Sequence, residues 1–482
     1  MLLLRKEYLS KEEFLEMFET LRNILLSYNY FILYYFLVIG TIYLLLSIIS
    51  FFNLRMYTNR YVYKDYKNIF RLKKYKSISL IVPAHNEEVG IVASVQALLQ
   101  LEYPDYQIIV VNDGSKDNTL SILKENFKAV EIPYLPLHNL ETQKVNSVYI
   151  CKGLRKLLIV DKENGGKADS INAGINLSDN SLIIVVDADS IVERDALLKI
   201  SSPFTEDENI VAVGGTIRVA NGCEINKGFV YKIGLPTSWL AKFQVVEYLR
   251  AFMFGRNGLD VVDGILIISG AFSCFKKDEV IKIGGFLRDC IGEDMEIIVR
   301  MHEILRKKNP DLKISFAPDS ICWTEAPENL KTLKLQRKRW QKGTILSLLL
   351  HKKLLFNPKY GLLGMVVYPY FFLFEMIGPC IEVLGYAVFI LSIILGIVSF
   401  NFAFVLLAAA ILYGVVLSLL AVIFEEITLS RYLDLDQLLE LFVLAVLENF
   451  GYRQMTSWYR FVGTIEYILG DRKWGKMERK RT

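Results

Sequence analysis

Residues 384–424 contain no Asp, Glu, Lys or Arg. A helix rising about 1.5 Å per residue crosses roughly 30 Å of hydrocarbon in about 20 residues, so this run is long enough for two crossings, turning within residues 396–401. Lipid offers no partner to a backbone amide, which restricts such a run to helices. Residues 30–52 form a second uncharged run, one crossing long. It starts too far from Met1, and lacks a small-residue cleavage site, for a cleaved signal peptide; it reads as a permanent anchor.

The chain is 482 residues long and 52% hydrophobic, too long for one typical domain and too apolar for a purely soluble protein. Its net charge of +4 is small, so placement matters more than total. Lys64, Lys67, Arg71, Lys73, Lys74 and Lys76 follow the first run; residues 331–353 and 472–481 are also basic. The positive-inside rule predicts that all three face the cytoplasm of a plasma membrane, giving a multi-pass protein with three or five crossings. Three follow if residues 361–382 and 438–447 lie in the interface, five if both span; the former is preferred. Basic clusters beside spans are expected, so the charge gives no ground for nucleic-acid binding. The six cysteines show neither a CxxC pair nor a histidine at metal-ligand spacing, which predicts reduced thiols and no zinc site.

Between the apolar runs the period changes. Residues 78–82, 107–111, 156–160 and 182–186 are short and rich in β-branched residues, with helix-like stretches at 89–101 and 118–128. Alternating strands and helices predict an α/β domain, a mostly parallel sheet with helices on both faces. The expected organisation is an amphipathic segment and first transmembrane helix over 1–54, a cytoplasmic domain over 55–328, amphipathic interfacial helices over 329–382, a transmembrane hairpin over 384–424, and a membrane-associated segment with a basic tail over 425–482.

Ligands of such sheets bind beyond the carboxyl ends of the strands, where the polar punctuation falls: His85-Asn86-Glu87, Asn112-Asp113-Gly114-Ser115 and Asp187-Ala188-Asp189. Period two puts Asp187 and Asp189 on one face, able to share a hard cation, Mg2+ or Mn2+, with the oxygens of a diphosphate. A solvated turn is the plain alternative for a lone Asp-x-Asp; Asp113 at a neighbouring strand end argues against it. Asn164-Gly165-Gly166-Lys167 offers amides and an ammonium to phosphate, although Asn-Gly-Gly is first of all a turn. Glu293 and Asp294 open a helical pattern. Acids are common there for dipole reasons, and Asp294 is also placed to act as a general base. Gln336, Arg339, Trp340 and Gly343 share a helical face: an amide, a guanidinium fork for diphosphate and an indole plate for a sugar. Arg337 and Lys338 are expected to point away, towards lipid head groups. A basic amphipathic helix on the membrane would account for the lysines but not for that face. Glu375 and Glu382 are candidates for a polar path. His85 reads as a loop residue and Cys274 as core.

In this order, Asn112-Asp113-Gly114-Ser115, Asp187-Ala188-Asp189, Gly292-Glu293-Asp294 and Gln336-Arg337-Lys338-Arg339-Trp340 resemble the motifs of the processive, membrane-integrated family-2 glycosyltransferases, the cellulose, chitin, hyaluronan and poly-N-acetylglucosamine synthases. The resemblance spans residues 77–343. It implies a Rossmann-like nucleotide-sugar domain between membrane and interfacial helices, a UDP-sugar donor and a nascent β-glycan acceptor, with catalysis by Asp294 beside Glu293. Glu87 and Asp113 would hold the uridine end, Lys167 and Asp187 the ribose and diphosphate region, Gln336 and Arg339 the diphosphate. Asp187 and Asp189 would ligate the metal, and Trp340 and Ser269 would contact the acceptor. Ile268-Ser269-Gly270 replaces the Phe-Cys-Gly of bacterial cellulose synthases, and Ser190 replaces the histidine they carry after the metal motif; Thr324-Glu325-Ala326-Pro327 is closer to β-glucan synthases. The implied donor is UDP-glucose or UDP-N-acetylglucosamine, and the resemblance leaves room for an accessory subunit. The alternatives are a single-transfer enzyme acting on a lipid-linked acceptor and a non-catalytic scaffold.

Overall fold

The computed structural model describes residues 11–57, 75–428 and 434–471. Lys64, Lys67, Arg71, Lys73, Lys74 and the basic tail lie outside the described residues.

The domain is built on a ten-stranded sheet in the order β3-β4-β5-β2-β1-β6-β11-β8-β12-β7. Its first half holds β1 (Ile78–Ala84), β2 (Tyr106–Asp113), β3 (Ala129–Ile132), β4 (Val145–Cys151), β5 (Leu154–Lys162) and β6 (Leu182–Val186). Its second holds β7 (Ile191–Val192), β8 (Ile210–Val219), β11 (Phe272–Lys276) and β12 (Lys313–Thr324); β9 (Glu224–Asn226) and β10 (Phe229–Lys232) form a separate hairpin. The parallel run β5-β2-β1-β6 is the one expected from the sequence. Every residue of β6 is buried, as a strand covered on both faces requires. Helices fall where predicted, at Ile91–Leu98 and Thr119–Asn126. Antiparallel pairs flank this run: β4 returns to β5 through a tight turn in which Gly153 has φ +81°, and β11 runs against both β6 and β8, beyond which β8 and β12 pair parallel.

Among the described residues, two helices are long and apolar enough to cross a membrane, over residues 15–57 and 400–428; Leu363–Met376 and Gly378–Ile394, bent by 45°, would make a third. The residues expected to form a hairpin fold into helices Gly378–Ile394 and Phe400–Thr428, with Gly396 between them at φ +64°. Helix Leu435–Leu447 has 13 residues, about 20 Å, short of the roughly 30 Å a crossing needs. The amphipathic residues before the first span are continuous with it in one helix, Lys11–Tyr57.

Charge pairs with at least one buried partner fasten the sheet domain to the helices beside it. Arg218 of β8 donates from Nη2 to both carboxylate oxygens of Glu425 at 2.6 Å, and Arg250 pairs with Glu448. Breaking one partner of such a pair strands the other charge away from water and costs about 3–5 kcal/mol.

Candidate functional site

A single cavity of about 1610 Å³ opens at the carboxyl ends of β1, β2 and β6 and continues between the membrane helices. All the residues singled out from the sequence line it: Glu87, Asp113, Lys167, Asp187 and Asp189 from the parallel half, Ser269, Glu293 and Asp294 from the far side, and Gln336, Arg339 and Trp340 from above.

The phosphate-like loop is organised by Asp113. Its Oδ1 accepts from the Gly165 amide at 2.9 Å and its Oδ2 from the Gly166 amide at 2.8 Å and Asn164 Nδ2 at 3.1 Å. Gly114, at φ +59°, makes this approach possible, since a Cβ there would stand 2.7 Å from the Asn164 nitrogen. Beyond the loop, helix Lys167–Asn176 begins, and Lys167 reaches across the cavity. Its Nζ is 2.5 Å from Asp187 Oδ1 and 3.8 Å from Glu293 Oε1, and it donates to the Gly270 carbonyl at 3.0 Å. Burial lowers the pKa of this ammonium, but the Asp187 and Glu293 carboxylates outweigh it and the net shift is upward. Glu87, nearly buried, is held by its amide on Thr119 Oγ1 at 2.8 Å. His85 lies against the Asp113 carbonyl, 2.8 Å from Nδ1.

Glu293 and Asp294 open helix Glu293–Leu305, whose amino end favours their charge. Glu293 is nonetheless pushed up to about 7, by burial first, with Lys167 opposing and Asp294 adding. Asp294 Oδ1 accepts from the Met295 amide at 2.9 Å. Asp294 and Lys167 close on the same glycine: a Cβ on Gly270 would sit 3.3 Å from both Asp294 Oδ2 and Lys167 Nζ. Ser269 next to it accepts the Ala271 amide on Oγ at 3.3 Å.

Gln336, Arg339, Trp340 and Gly343 lie on helix Leu330–Leu350, capped by the Asn329 side chain. Gly343 does more than share a face. It packs backbone to backbone on Gly292, where a Cβ on Gly343 would be 3.0 Å from the Gly292 Cα. This glycine-to-glycine contact brings the Glu293-Asp294 turn against the helix that carries Trp340, whose side chain keeps 41% of its surface exposed.

Arg337 and Lys338 do not behave as expected. Arg337 is buried, its Nη2 2.8 Å from Glu247 Oε2 and its guanidinium 4.2 Å from the centre of the Trp340 ring. Lys338 pairs with Glu466, and Lys342 with the same carboxylate at 2.8 Å. The physical cause is that helix Tyr452–Ile468 packs along this one with Glu466, and helix Trp239–Arg250 supplies Glu247, so a face that a lone helix would give to lipid head groups is covered by acidic residues.

In the membrane half of the cavity, Tyr43 donates to Glu375 Oε1 at 2.9 Å, Arg460 Nη2 contacts Glu375 Oε2 at 3.2 Å, and Ser457 donates to Glu382 at 2.6 Å. Both glutamates therefore line the cavity with partners, as costly intramembrane charge requires. Tyr386 and Tyr413 line the same stretch.

Two family descriptions match: Glycosyl transferase family 2 over residues 79–228, and Glycosyl transferase family group 2 over residues 182–426, half of the chain. The chain belongs to the family-2 glycosyltransferases. Over 268 residues it is 27% identical to a poly-beta-1,6-N-acetyl-D-glucosamine synthase of Staphylococcus epidermidis, covering 56% of this chain and 54% of that protein. The synthase of Staphylococcus aureus strain COL is 29% identical over 269 residues, with the same coverage. The chain thus spans about half the length of the curated relatives it matches. A mannosyltransferase from Pyrobaculum calidifontis, solved with GDP-mannose and Mn2+, aligns with a TM-score of 0.49 at 16% identity, over 86% of this glycosyltransferase and 99% of that chain.

The sequence reading missed Lys162, Asp169 and Arg288, which form buried ion pairs behind the loop. Asp161-Lys162 at the end of an apolar strand was the available signal. It also missed Tyr43 and Arg460, which nothing in their local sequence marks.

Proposed function

We propose that this chain is a processive, inverting glycosyltransferase that builds a β-linked polysaccharide from a UDP-sugar and passes it across the membrane. UDP-N-acetylglucosamine is the favoured donor, in keeping with the staphylococcal relatives. The observation that carries the reading is the continuity of the cavity. Carboxylates, cations and indole at one end share a single space with Tyr43, Glu375, Tyr386 and Arg460 between the membrane helices at the other, so a product made at the first has a lined path into the second.

In this reading Glu87 and Asp113 hold the nucleoside end, Asp113 through the loop its carboxylate organises. Lys167, Gln336 and Arg339 hold the diphosphate. Asp187 and Asp189 fit a divalent cation: hard carboxylate oxygens open to the cavity, and, among the described residues, no third protein ligand beside them, the donor set of an ion shared with phosphate oxygens. Asp187 and Asp189 would hold Mg2+ or Mn2+ there, and the ion would supply positive charge for the departing diphosphate. Trp340 and Ser269 seat the acceptor sugar. Asp294 takes the proton from the acceptor hydroxyl as its oxygen bonds to C1 and the C1–O bond to UDP breaks, inverting the anomeric centre. Glu293, 3.8 Å from the Lys167 ammonium, stands beside Asp294 and helps to hold Lys167 in the site.

The test is UDP release by purified protein with Mg2+ or Mn2+, offering UDP-N-acetylglucosamine and UDP-glucose separately and digesting the product with linkage-specific glycanases. Long polymer from one donor supports the proposal. Short or lipid-linked product replaces it with a single-transfer enzyme, and no release with either donor removes both.

A further inference from the structure

Lys162 ends β5 in register with Asp113 at the end of β2. Its ammonium is wholly buried, 2.5 Å from Asp113 Oδ1 and 2.6 Å from Asp169 Oδ1, and donates to the Glu163 carbonyl at 2.6 Å. An ammonium hidden from water is tolerated only when matched by charge and hydrogen bonds. Here the matching continues: Arg288 Nε is 2.7 Å from Asp169 Oδ2, and Arg288 Nη1 is 2.8 Å from Glu141. Arg288, Asp169, Lys162 and Asp113 form a row of alternating sign whose two ends, Arg288 and Asp113, line the cavity while Asp169 and Lys162 lie behind its wall.

The consequence falls on Asp113. With Lys162, Gly165, Gly166 and Asn164 all donating to it, its carboxylate has about four donors for about four lone-pair sites. The ammonium completes this set of donors and so helps to fix the carboxylate that holds the loop at 164–166. The loop in turn leads directly into Lys167, whose Nζ meets Asp187. Lys162 itself is not among the residues lining the cavity, whereas Asp113 and Arg288 are, so it acts on a ligand through Asp113 directly or, by way of Asp169, through Arg288.

We propose that Lys162 is a positioning residue of the donor site: it holds the Asp113 carboxylate in place, which fixes the 164–166 loop and aims Lys167 at Asp187. The proposal rests on the glycosyltransferase reading above, with a nucleoside diphosphate as the ligand. Removing the ammonium leaves Asp113 and Asp169 as two buried carboxylates with Arg288 alone to balance them, and the loop loses its clamp.

The test measures UDP binding by titration calorimetry in Mn2+, donor KM and kcat from UDP release, and melting temperature, for wild type, Lys162→Met, Lys162→Arg and the double variant Lys162→Met/Asp169→Asn. The double variant removes one charge of each sign from the interior, so it recovers melting temperature lost in Lys162→Met and keeps the test open if the single variant does not fold. The expected result is UDP Kd and donor KM raised at least about tenfold in Lys162→Met and still raised in the double variant, with Lys162→Arg nearer wild type. Wild-type UDP Kd in Lys162→Met overturns the proposal. So does a double variant in which Kd returns together with melting temperature, which would make Lys162 a matter of core stability alone. A wild-type protein that binds no UDP overturns the glycosyltransferase reading instead.

Discussion

Alanine at Gly343 would probe how two motifs far apart in sequence are made into one site. The new Cβ would stand 3.0 Å from the Gly292 Cα, 3.3 Å from its nitrogen and 3.6 Å from the Ile291 carbonyl carbon. Carbon atoms rest at about 3.5–4.0 Å, and the obstacle is backbone, so the two helices must separate by at least about 0.5 Å. Alanine gains about 1 kcal/mol of helix propensity over glycine, while overpacking costs about 1–3 kcal/mol. The net loss of about 0–2 kcal/mol leaves the protein folded. The catalytic cost is larger, because Asp294 is two residues beyond Gly292 and Trp340 three before Gly343. A displacement of about 1 Å costs on the order of 100-fold in rate, so half of that predicts roughly a tenfold fall in kcat for UDP release. Donor affinity should fall less, since only Gln336 and Arg339 of the proposed donor contacts ride on this helix, while the Asp113 loop, Lys167 and Asp187 do not move with it. Valine, with more bulk at the same point, should all but abolish turnover. Wild-type kcat in Gly343→Ala would refute the view that this glycine contact sets the geometry between base and acceptor helix.

The other expectations are quickly stated. Asp294→Asn should bind UDP normally and lose polymer synthesis, as radiolabelled product formation would report; wild-type turnover would remove Asp294 as the base. Trp340→Ala should harm polymer formation more than UDP affinity, and equal losses would move the indole to the donor. Glu293, raised by burial from 4.5 to about 7, holds a proton in the folded state that the unfolded chain gives up. Its contribution to stability is therefore fullest below about pH 4.5 and is lost as pH rises through about 7, on the order of 3 kcal/mol in all. Melting temperatures of Glu293→Gln should gain on wild type as pH rises from about 5 to about 8, and a constant difference would contradict the burial argument.

The candidate site was largely legible because its chemistry is written in local patterns. Asp113, Asp187-Ala188-Asp189 and Asn164-Gly165-Gly166-Lys167 each follow an apolar strand or open a helix, and parallel strands deliver such residues to one edge whatever the details of packing. Gln336, Arg339 and Trp340 are spaced at three and four residues, so a helix gathers them on one side. What misled was the treatment of the basic helix as a lone element. The assignment of Arg337 and Lys338 to lipid assumed that nothing else covered that face; Glu247 and Glu466, respectively about 90 and 130 residues away in the chain, cover it. The antiparallel flanks were equally invisible, since pairing direction depends on which strand ends meet.

Sequence alone therefore determined that this protein has helices able to cross a membrane, an α/β domain between them, and the carboxylates, cations and indole that such a domain presents at its strand ends. These follow from composition and period, which act over a few residues. Tertiary structure decided what those groups do to one another. It placed Lys162 between Asp113 and Asp169, seated Gly343 on Gly292, turned Arg337 under Trp340, and joined the sheet-edge site to Tyr43 and Arg460 in one cavity. Each of these depends on Coulomb and contact forces that act over a few ångströms, between residues that no local pattern brings together.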